Sequence, residues 1–163
     1  MTDLSFTLNG QPTTLKAQPA SLLIEVLRGP LALTGTHQGC DTAQCGCCTV
    51  LLDGASVKAC SLLAVQVAGR SVTTIEGLAG LRNNPDGNLH PVQEAFIACH
   101  GLQCGFCTPG MVMSATCLLA ENPQPSADEI ARALEGNLCR CTGYVNIVKS
   151  VQAAAKAMSG ASA

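Results

Sequence analysis

The sequence predicts an α+β chain in two parts: a small mixed sheet crossed by one helix, then a set of four helices. Three observations carry this expectation. Early apolar residues fall at every second position, as at Leu4, Phe6 and Leu8, which is the period of a strand. Late ones fall at helical spacing, as at Ile147, Val148, Val151 and Ala155. Between them the run Leu81-Arg82-Asn83-Asn84-Pro85-Asp86-Gly87-Asn88 is rich in turn formers and poor in anything to bury. The expected division is a sheet part over 1–77, a linker over 78–89, a helical part over 90–158 and a tail over 159–163.

Each element has a local reason. Leu4–Leu8 is the first strand, and Asn9-Gly10 is a type I′ hairpin signal that returns the chain along Thr13–Leu15. Ser21 can cap a short helix carrying Leu22, Leu23, Val26 and Leu27, which Gly29-Pro30 stops. Gly35 to Gly46 reads as a loop of Gly, Thr and Cys. Val50–Leu52, Asp53-Gly54 and Ser56–Ala59 form a second hairpin, and Val72–Ile75 a last strand. Pro91 suits the first position of a helix with Val92, Ala95, Phe96 and Cys99 on one face. A second helix begins at Thr108-Pro109 and reaches about Glu121. Ser126 and Glu129 make a capping box that opens a third, closed by Gly136, and Thr142-Gly143 begins a fourth.

Composition excludes several function classes. Of 163 residues only 12% are charged, and 9 basic against 11 acidic residues give a net charge of −2. No basic patch is concentrated enough for nucleic acid. Ala95–Ala120 contains no Asp, Glu, Lys or Arg, and Thr42–Leu52 is equally uncharged. Surfaces seldom lack charge for so long, so much of both stretches is expected to lie against partner subunits. A membrane span is not expected: Gly101, Gly105, Pro109 and Gly110 interrupt the longer stretch, and its apolar run is about half the ~20 residues required. Met1-Thr2-Asp3-Leu4 has no basic region or apolar core of a secretory signal, so a cytoplasmic location is expected. The odd count of 11 cysteines then argues against a disulfide framework.

Eight of those cysteines form two quartets. Cys40, Cys45, Cys48 and Cys60 read C-x4-C-x2-C plus one distant cysteine, the spacing of a plant-type [2Fe–2S] site. Cys104, Cys107, Cys139 and Cys141 read C-x2-C, a long gap, then C-x-C, the ligand count for a second cluster. Such centres are anionic, and backbone N–H groups aimed at the sulfurs lower the cost of burying them. Close backbone approach needs glycine, and Gly39, Gly46, Gly101, Gly105, Gly136 and Gly143 lie near these cysteines. Cys107 and Cys141 each directly precede an expected helix start, so two helix N-termini should point at the second centre. Two zinc sites of four thiolates each are the main alternative, which the unequal spacings fit poorly. Cys47 is expected to pack on the outer side of its loop, although it could replace a neighbouring ligand. Cys99 and Cys117 are expected as core fillers. His37 and His100 sit near the quartets, but four cysteines per site make a His-ligated cluster unnecessary. His90 is expected at a surface or a helix cap.

Three segments, Gly39-Cys40-Asp41-Thr42-Ala43-Gln44-Cys45-Gly46-Cys47-Cys48, Gly101-Leu102-Gln103-Cys104-Gly105-Phe106-Cys107-Thr108-Pro109-Gly110 and Gly136-Asn137-Leu138-Cys139-Arg140-Cys141-Thr142-Gly143-Tyr144, closely resemble the iron–sulfur small subunit of the xanthine oxidase family of molybdenum hydroxylases. The wording Thr36-His37 and Asp41-Thr42 is most similar to small subunits of carbon monoxide dehydrogenases and related N-heterocycle hydroxylases. The resemblance implies an N-terminal β-grasp, plant-type ferredoxin-like domain followed by a four-helix domain. It implies that Cys40, Cys45, Cys48 and Cys60 hold a [2Fe–2S] cluster facing a medium, FAD-binding subunit. It implies that Cys104, Cys107, Cys139 and Cys141 hold a second cluster beside the molybdopterin cytosine dinucleotide of a large subunit, with Gln103 and Cys141 near the pterin. Electrons would pass from molybdenum through both clusters to FAD, in an assembly expected to be a dimer of heterotrimers, and the substrate site would belong to another chain. Gly46-Cys47 departs from the Gly-Ala frequent in the family. A free-standing two-cluster ferredoxin and a structural zinc protein remain the rival readings.

Overall fold

The computed structural model describes residues 1–82 and 89–160. Residues 83–88, most of the expected linker run, and 161–163, most of the expected tail, lie outside the described residues. Five strands form one mixed sheet: β1 Thr2–Leu8, β2 Gln11–Ala17, β3 Thr49–Leu52, β4 Ala55–Lys58 and β5 Ser71–Thr73, in the order β2-β1-β5-β3-β4. The β1–β5 pair is parallel and the other pairs are antiparallel. Both hairpins turn on left-handed pairs, Asn9 (φ 50) with Gly10 (φ 80) and Asp53 (φ 50) with Gly54 (φ 89), as a type I′ turn requires. Helix α1, Leu23–Arg28, starts later than Ser21 would set it: Leu22 is the capping residue, and its N–H donates to the Glu25 carboxylate at 2.8 Å.

The second part holds α2 Pro91–Ala98, α3 Thr108–Glu121, α4 Ala127–Ala133 and α5 Val145–Gly160. Pro91 occupies the first turn of α2, and His90 caps it, accepting the Val92 N–H at 3.3 Å from a site only 5% exposed. Ser126 and Glu129 form the capping box of α4 in both directions. Helix α5 begins at Val145 rather than at Thr142, because Gly143 (φ 64) and Tyr144 (φ 67) are left-handed and cannot continue into it. The stretch expected to open the linker is instead a 3₁₀ helix, Ile75–Arg82, with Leu78 fully buried.

Two cores result, and they meet at β3. The first gathers Leu4, Phe6, Leu23, Ile24, Leu27 and Val50 with their neighbours. The second gathers Phe96, Met111, Met113, Ile130, Leu134 and Ile147, together with Cys47, Leu51 and Leu78 from the first part. All four residues of β3 are buried because the sheet's first core takes Val50 and Leu52 while the helical core takes Leu51. A strand covered on both faces reads as a continuous apolar run, as Val50-Leu51-Leu52 does. Helix α3 is buried from Gly110 through Cys117 and again at Leu119. Residues 46–52 and 110–117 are therefore buried within the chain itself, whereas most of 97–109 is exposed or half-buried. What remains outside is a scatter of apolar residues, including Ile97 (58% exposed), Phe106 (46%) and Leu138 (55%).

Candidate metal centres

The first quartet is carried by a loop between α1 and β3, with Cys60 supplied by the 3₁₀ turn Ala59–Ser61 after β4. The loop is tied down at its start. Arg28 donates to the carbonyls of Thr34 (2.7 Å) and Thr36 (2.9 Å), and the Gly35 N–H donates to Glu76 at 2.8 Å. Ala43 (φ 58) and Gly46 (φ 72) then turn the backbone back on itself. Cys40 and Cys45 are half-buried, whereas Cys48 and Cys60 are buried. The Cys45 N–H donates to the Cys40 sulfur at 3.4 Å. That bond, with the Thr42 N–H, pulls the Cys40 thiol down to about 6. Cys48 lies against Cys60, and burial pushes its thiol up to about 11. A Cβ on Gly39 would sit 3.1 Å from the Cys45 sulfur, 3.2 Å from the Phe106 ring and 3.3 Å from the Cys47 sulfur, so a larger residue there would press on the site.

The second quartet combines the Cys104–Cys107 turn before α3 with the Cys139–Cys141 turn before α5. Cys107 directly precedes α3, so the helix N-terminus faces that thiol as expected. Cys141 does not precede α5, because of the later start of that helix. Its turn uses side chains instead: the Thr142 hydroxyl donates to the Cys139 sulfur at 3.1 Å, and Tyr144 Oη accepts the Cys139 N–H at 2.8 Å while donating to the Asn137 carbonyl at 3.1 Å. Burial opposes ionisation of Cys139, but the hydrogen bonds from Thr142, the Cys141 backbone and Cys107 together hold that thiol below its ordinary value. Cys107 is pushed up to about 12, first by burial and then by its contact with Cys139. Cys104 and Cys141 are exposed, with sulfurs 3.5 Å apart, and that contact raises Cys141.

Each quartet thus resolves into two thiol pairs, an outer and an inner. Cys40 with Cys45 and Cys104 with Cys141 are the outer pairs; Cys48 with Cys60 and Cys107 with Cys139 are the inner ones, and Cys47 lies beside Cys45 as a further thiol at the first site. Two-by-two is the donor set of a [2Fe–2S] cluster, in which each iron takes two thiolates. Among the described residues no three or more His, Cys, Asp or Glu side chains converge on one point as ligands for a single ion. Beside the second quartet, Thr108 carries a buried hydroxyl with no hydrogen-bond partner among the described residues, a donor left for an acceptor at that site. All eleven cysteines carry free thiols. The residues present therefore fit two such clusters, and binding irons would offset the cost of ionising the buried Cys48 and Cys107 thiols.

The two sites are joined through hydrogen bonds between their own loops. Leu138 N–H donates to the Cys45 carbonyl at 2.8 Å. Asn137 Nδ2 donates to the Gly46 carbonyl at 3.0 Å, and Asn137 Oδ1 accepts from Ser114 at 2.8 Å. Lys58 Nζ donates to the Gly136 carbonyl at 2.6 Å. His37 stacks on Phe106 with ring centroids 4.7 Å apart, and its Nδ1 lies 2.7 Å from the Phe106 carbonyl. Gly110, in the first turn of α3, lies against Gly46, and a Cβ there would come 3.0 Å from the Cys47 Cα. Cys47 is consequently buried in the helical core rather than on the outer side of its loop. Burial pushes its thiol up to about 12. Cys117 is buried and Cys99 half-buried. Gln103 is exposed next to Cys104 and hence beside Cys141. His100 makes no part of either quartet; its carbonyl accepts from Asn146. Sequence reasoning missed Asn137, Tyr144 and Lys58, although the first two lie inside the third cysteine-bearing segment.

Two family models match the chain: a 2Fe-2S iron-sulfur cluster binding domain over residues 6–71 and a [2Fe-2S] binding domain over 74–152. The nicotine 6-hydroxylase small subunit of Paenarthrobacter nicotinovorans is 48% identical over 149 residues, covering 91% of this chain and 87% of that protein. The caffeine dehydrogenase subunit gamma of a Pseudomonas species is 45% identical over 152 residues, covering 91% and 88%. Quinoline 2-oxidoreductase from Pseudomonas putida 86 matches in structure with a TM-score of 0.90 and 43% identity, over 98% of this chain and 96% of that one. The aldehyde oxidoreductase of Desulfovibrio gigas matches with a TM-score of 0.91 and 42% identity, over 99% of this chain but 18% of that much longer one. No helix among the described residues is long and apolar enough to cross a membrane.

Proposed function

We infer that this chain, which belongs to the [2Fe–2S] small subunits of the xanthine oxidase family of molybdenum hydroxylases, relays electrons from a molybdenum site on a large subunit to FAD on a medium subunit. Cys40, Cys45, Cys48 and Cys60 would hold one cluster, and Cys104, Cys107, Cys139 and Cys141 the other. Each cluster, when bound, takes up and passes on one electron at a time. The exposed Cys104–Cys141 pair with Gln103 offers the face for a molybdopterin cytosine dinucleotide on the large subunit. The half-buried Cys40–Cys45 pair offers the face toward the flavin. Both partners and their cofactors, in a dimer of heterotrimers, follow from the family reading. Relatives named for nicotine, caffeine and quinoline favour an N-heterocycle as substrate of the complex. Eleven free thiols suit a reducing cytoplasm.

The observation that carries this reading is the 2.8 Å hydrogen bond from Leu138 N–H to the Cys45 carbonyl. It connects a ligand of one quartet to the residue preceding a ligand of the other, so the two centres are joined by one hydrogen bond and a few covalent ones. The test is the co-expressed complex. Iron and acid-labile sulfide analysis should find both clusters, with two distinct EPR signals on reduction. Cys104→Ser or Cys139→Ser should stop electron flow from molybdenum, whereas Cys45→Ser should leave molybdenum reducible by substrate and isolate the flavin. Rapid flavin reduction in the Cys45→Ser complex, or a colourless complex without iron, would end this reading.

A further inference from the structure

Lys58 stands at a junction that the two-cluster reading leaves unused. It ends β4, pairs across the sheet with Thr49, which follows Cys48, and precedes Cys60 by two residues. Its half-buried side chain leaves the first part of the chain and donates to the Gly136 carbonyl at 2.6 Å. Gly136 opens the strap that leads through Asn137 and Leu138 into Cys139. Three successive strap residues are thus gripped by the first part: Gly136 by Lys58, Asn137 by the Gly46 carbonyl and Leu138 by the Cys45 carbonyl. Lys58 makes no ion pair among the described residues. In a chain with only 9 basic residues, a cation two residues before Cys60 and bonded to the carbonyl three residues before Cys139 is a specific placement.

We propose that Lys58 is a positioning residue for electron transfer between the two quartets, docking the Gly136–Cys139 strap onto the first cluster loop and setting the cluster potentials with its charge. The proposal rests on the electron-relay reading above. Reduction adds a negative charge to a cluster, and a nearby ammonium favours that state. Removing the ammonium therefore makes reduction harder and moves the midpoint potential downward. Releasing the strap loosens the Cys45–Leu138 hydrogen bond and slows transfer between the centres.

The test uses the whole co-expressed complex carrying Lys58→Met, Lys58→Gln or Lys58→Arg. Iron and sulfide content of the unsubstituted complex comes first, and a shortfall there counts against the relay reading itself. In a fully loaded complex, Lys58→Met should lower at least one cluster midpoint in an EPR-monitored redox titration. It should also slow inter-cluster transfer several-fold after rapid reduction by substrate. Lys58→Arg, which keeps charge and donor, should restore both. Lys58→Gln keeps a donor without the charge, so its potential should fall while it loads normally. Should Lys58→Met fail to load, the Gln and Arg variants decide. Unshifted potentials in a fully loaded Gln variant, or equal shifts in the Arg and Gln variants, would overturn the proposal.

Discussion

Replacing Asn137 by alanine should loosen the junction between the two cysteine sites by an amount that the geometry fixes. Asn137 is 4% exposed and makes two well-formed side-chain hydrogen bonds, to the Gly46 carbonyl at 3.0 Å and from Ser114 at 2.8 Å. Each contributes about 1 kcal/mol net, and an abandoned buried partner adds about 1–3 kcal/mol. The Gly46 carbonyl is not abandoned, since Thr49 still supplies its hydroxyl at 2.7 Å and its N–H at 3.2 Å. The Ser114 hydroxyl can turn to the carbonyl one helical turn back. The loss is therefore about 2–3 kcal/mol rather than twice that. For a chain of this size that is a fall in Tm of about 4–12 °C. Asn137→Asp separates hydrogen bonding from shape. An ionised carboxylate there faces the Gly46 carbonyl and cannot donate, so its folded-state pKa lies above the unfolded one. The added penalty is full above the folded value and disappears as pH falls below the unfolded value, so the Asp variant should recover toward the Ala variant in acid. Thermal unfolding of the cluster-loaded chain at one scan rate, at neutral and at mildly acid pH, reads both effects. An Ala variant within about 0.5 kcal/mol of the parent, or an Asp variant that parallels Ala at every pH, would refute the assignment of Asn137 as the joint.

Gly110→Ala should destabilise the chain by about 1–3 kcal/mol, because its methyl would overlap the Gly46 carbonyl oxygen and press on Cys47; an unchanged melting curve would contradict the close packing of α3 on the first loop. Cys47→Ala should keep the full iron content, since Cys47 packs in the helical core and stands outside the first quartet, and loss of two irons would make it a ligand. Asp53 accepts from the Ser71 N–H at 2.8 Å and from Arg70 at 2.6 Å, which hold its carboxyl below its ordinary 3.8. Its contribution is present above that value and fades as pH falls through the lower native one, so the acid limb of a stability–pH profile should flatten in Asp53→Asn.

What could be read from the sequence was local. The Asn9-Gly10 and Asp53-Gly54 turns, the Ser126 cap and the Thr108 start of α3 each depend on residues within one turn, and the structure has them in place. Both cysteine spacings were legible for the same reason. The start of α5 was not, because Tyr144 adopts a left-handed conformation that no propensity favours and its hydroxyl is spent bridging Cys139 and Asn137. Lys58 and Asn137 looked like an ordinary strand end and an ordinary loop residue. Their partners, Gly136 and Gly46, lie far away in sequence, so no local pattern could mark them. The lack of charge over residues 46–52 reflects burial within the chain, where α3 covers the loop end and β3, whereas residues 42–45 stay exposed or half-buried.

That double use of β3 decides how the two sites relate. A strand covered by one core on each side cannot shift toward either without opening the other. Leu51 stands in the helical core while Val50 and Leu52 stand in the sheet core, and the Cys47 side chain follows Leu51. The separation of the quartets is then set by packing and by the hydrogen-bonded strap, not by the length of the segment between Arg82 and Leu89. Lengthening that segment by a few Gly and Ser residues should leave the midpoint potentials and the transfer rate between the centres as they are. Opening the β3–α3 contact with Leu51→Ala should change both, along with a stability loss of about 2–5 kcal/mol. If instead the insertion slowed transfer and Leu51→Ala did not, the two halves would be tethered modules rather than one packed body.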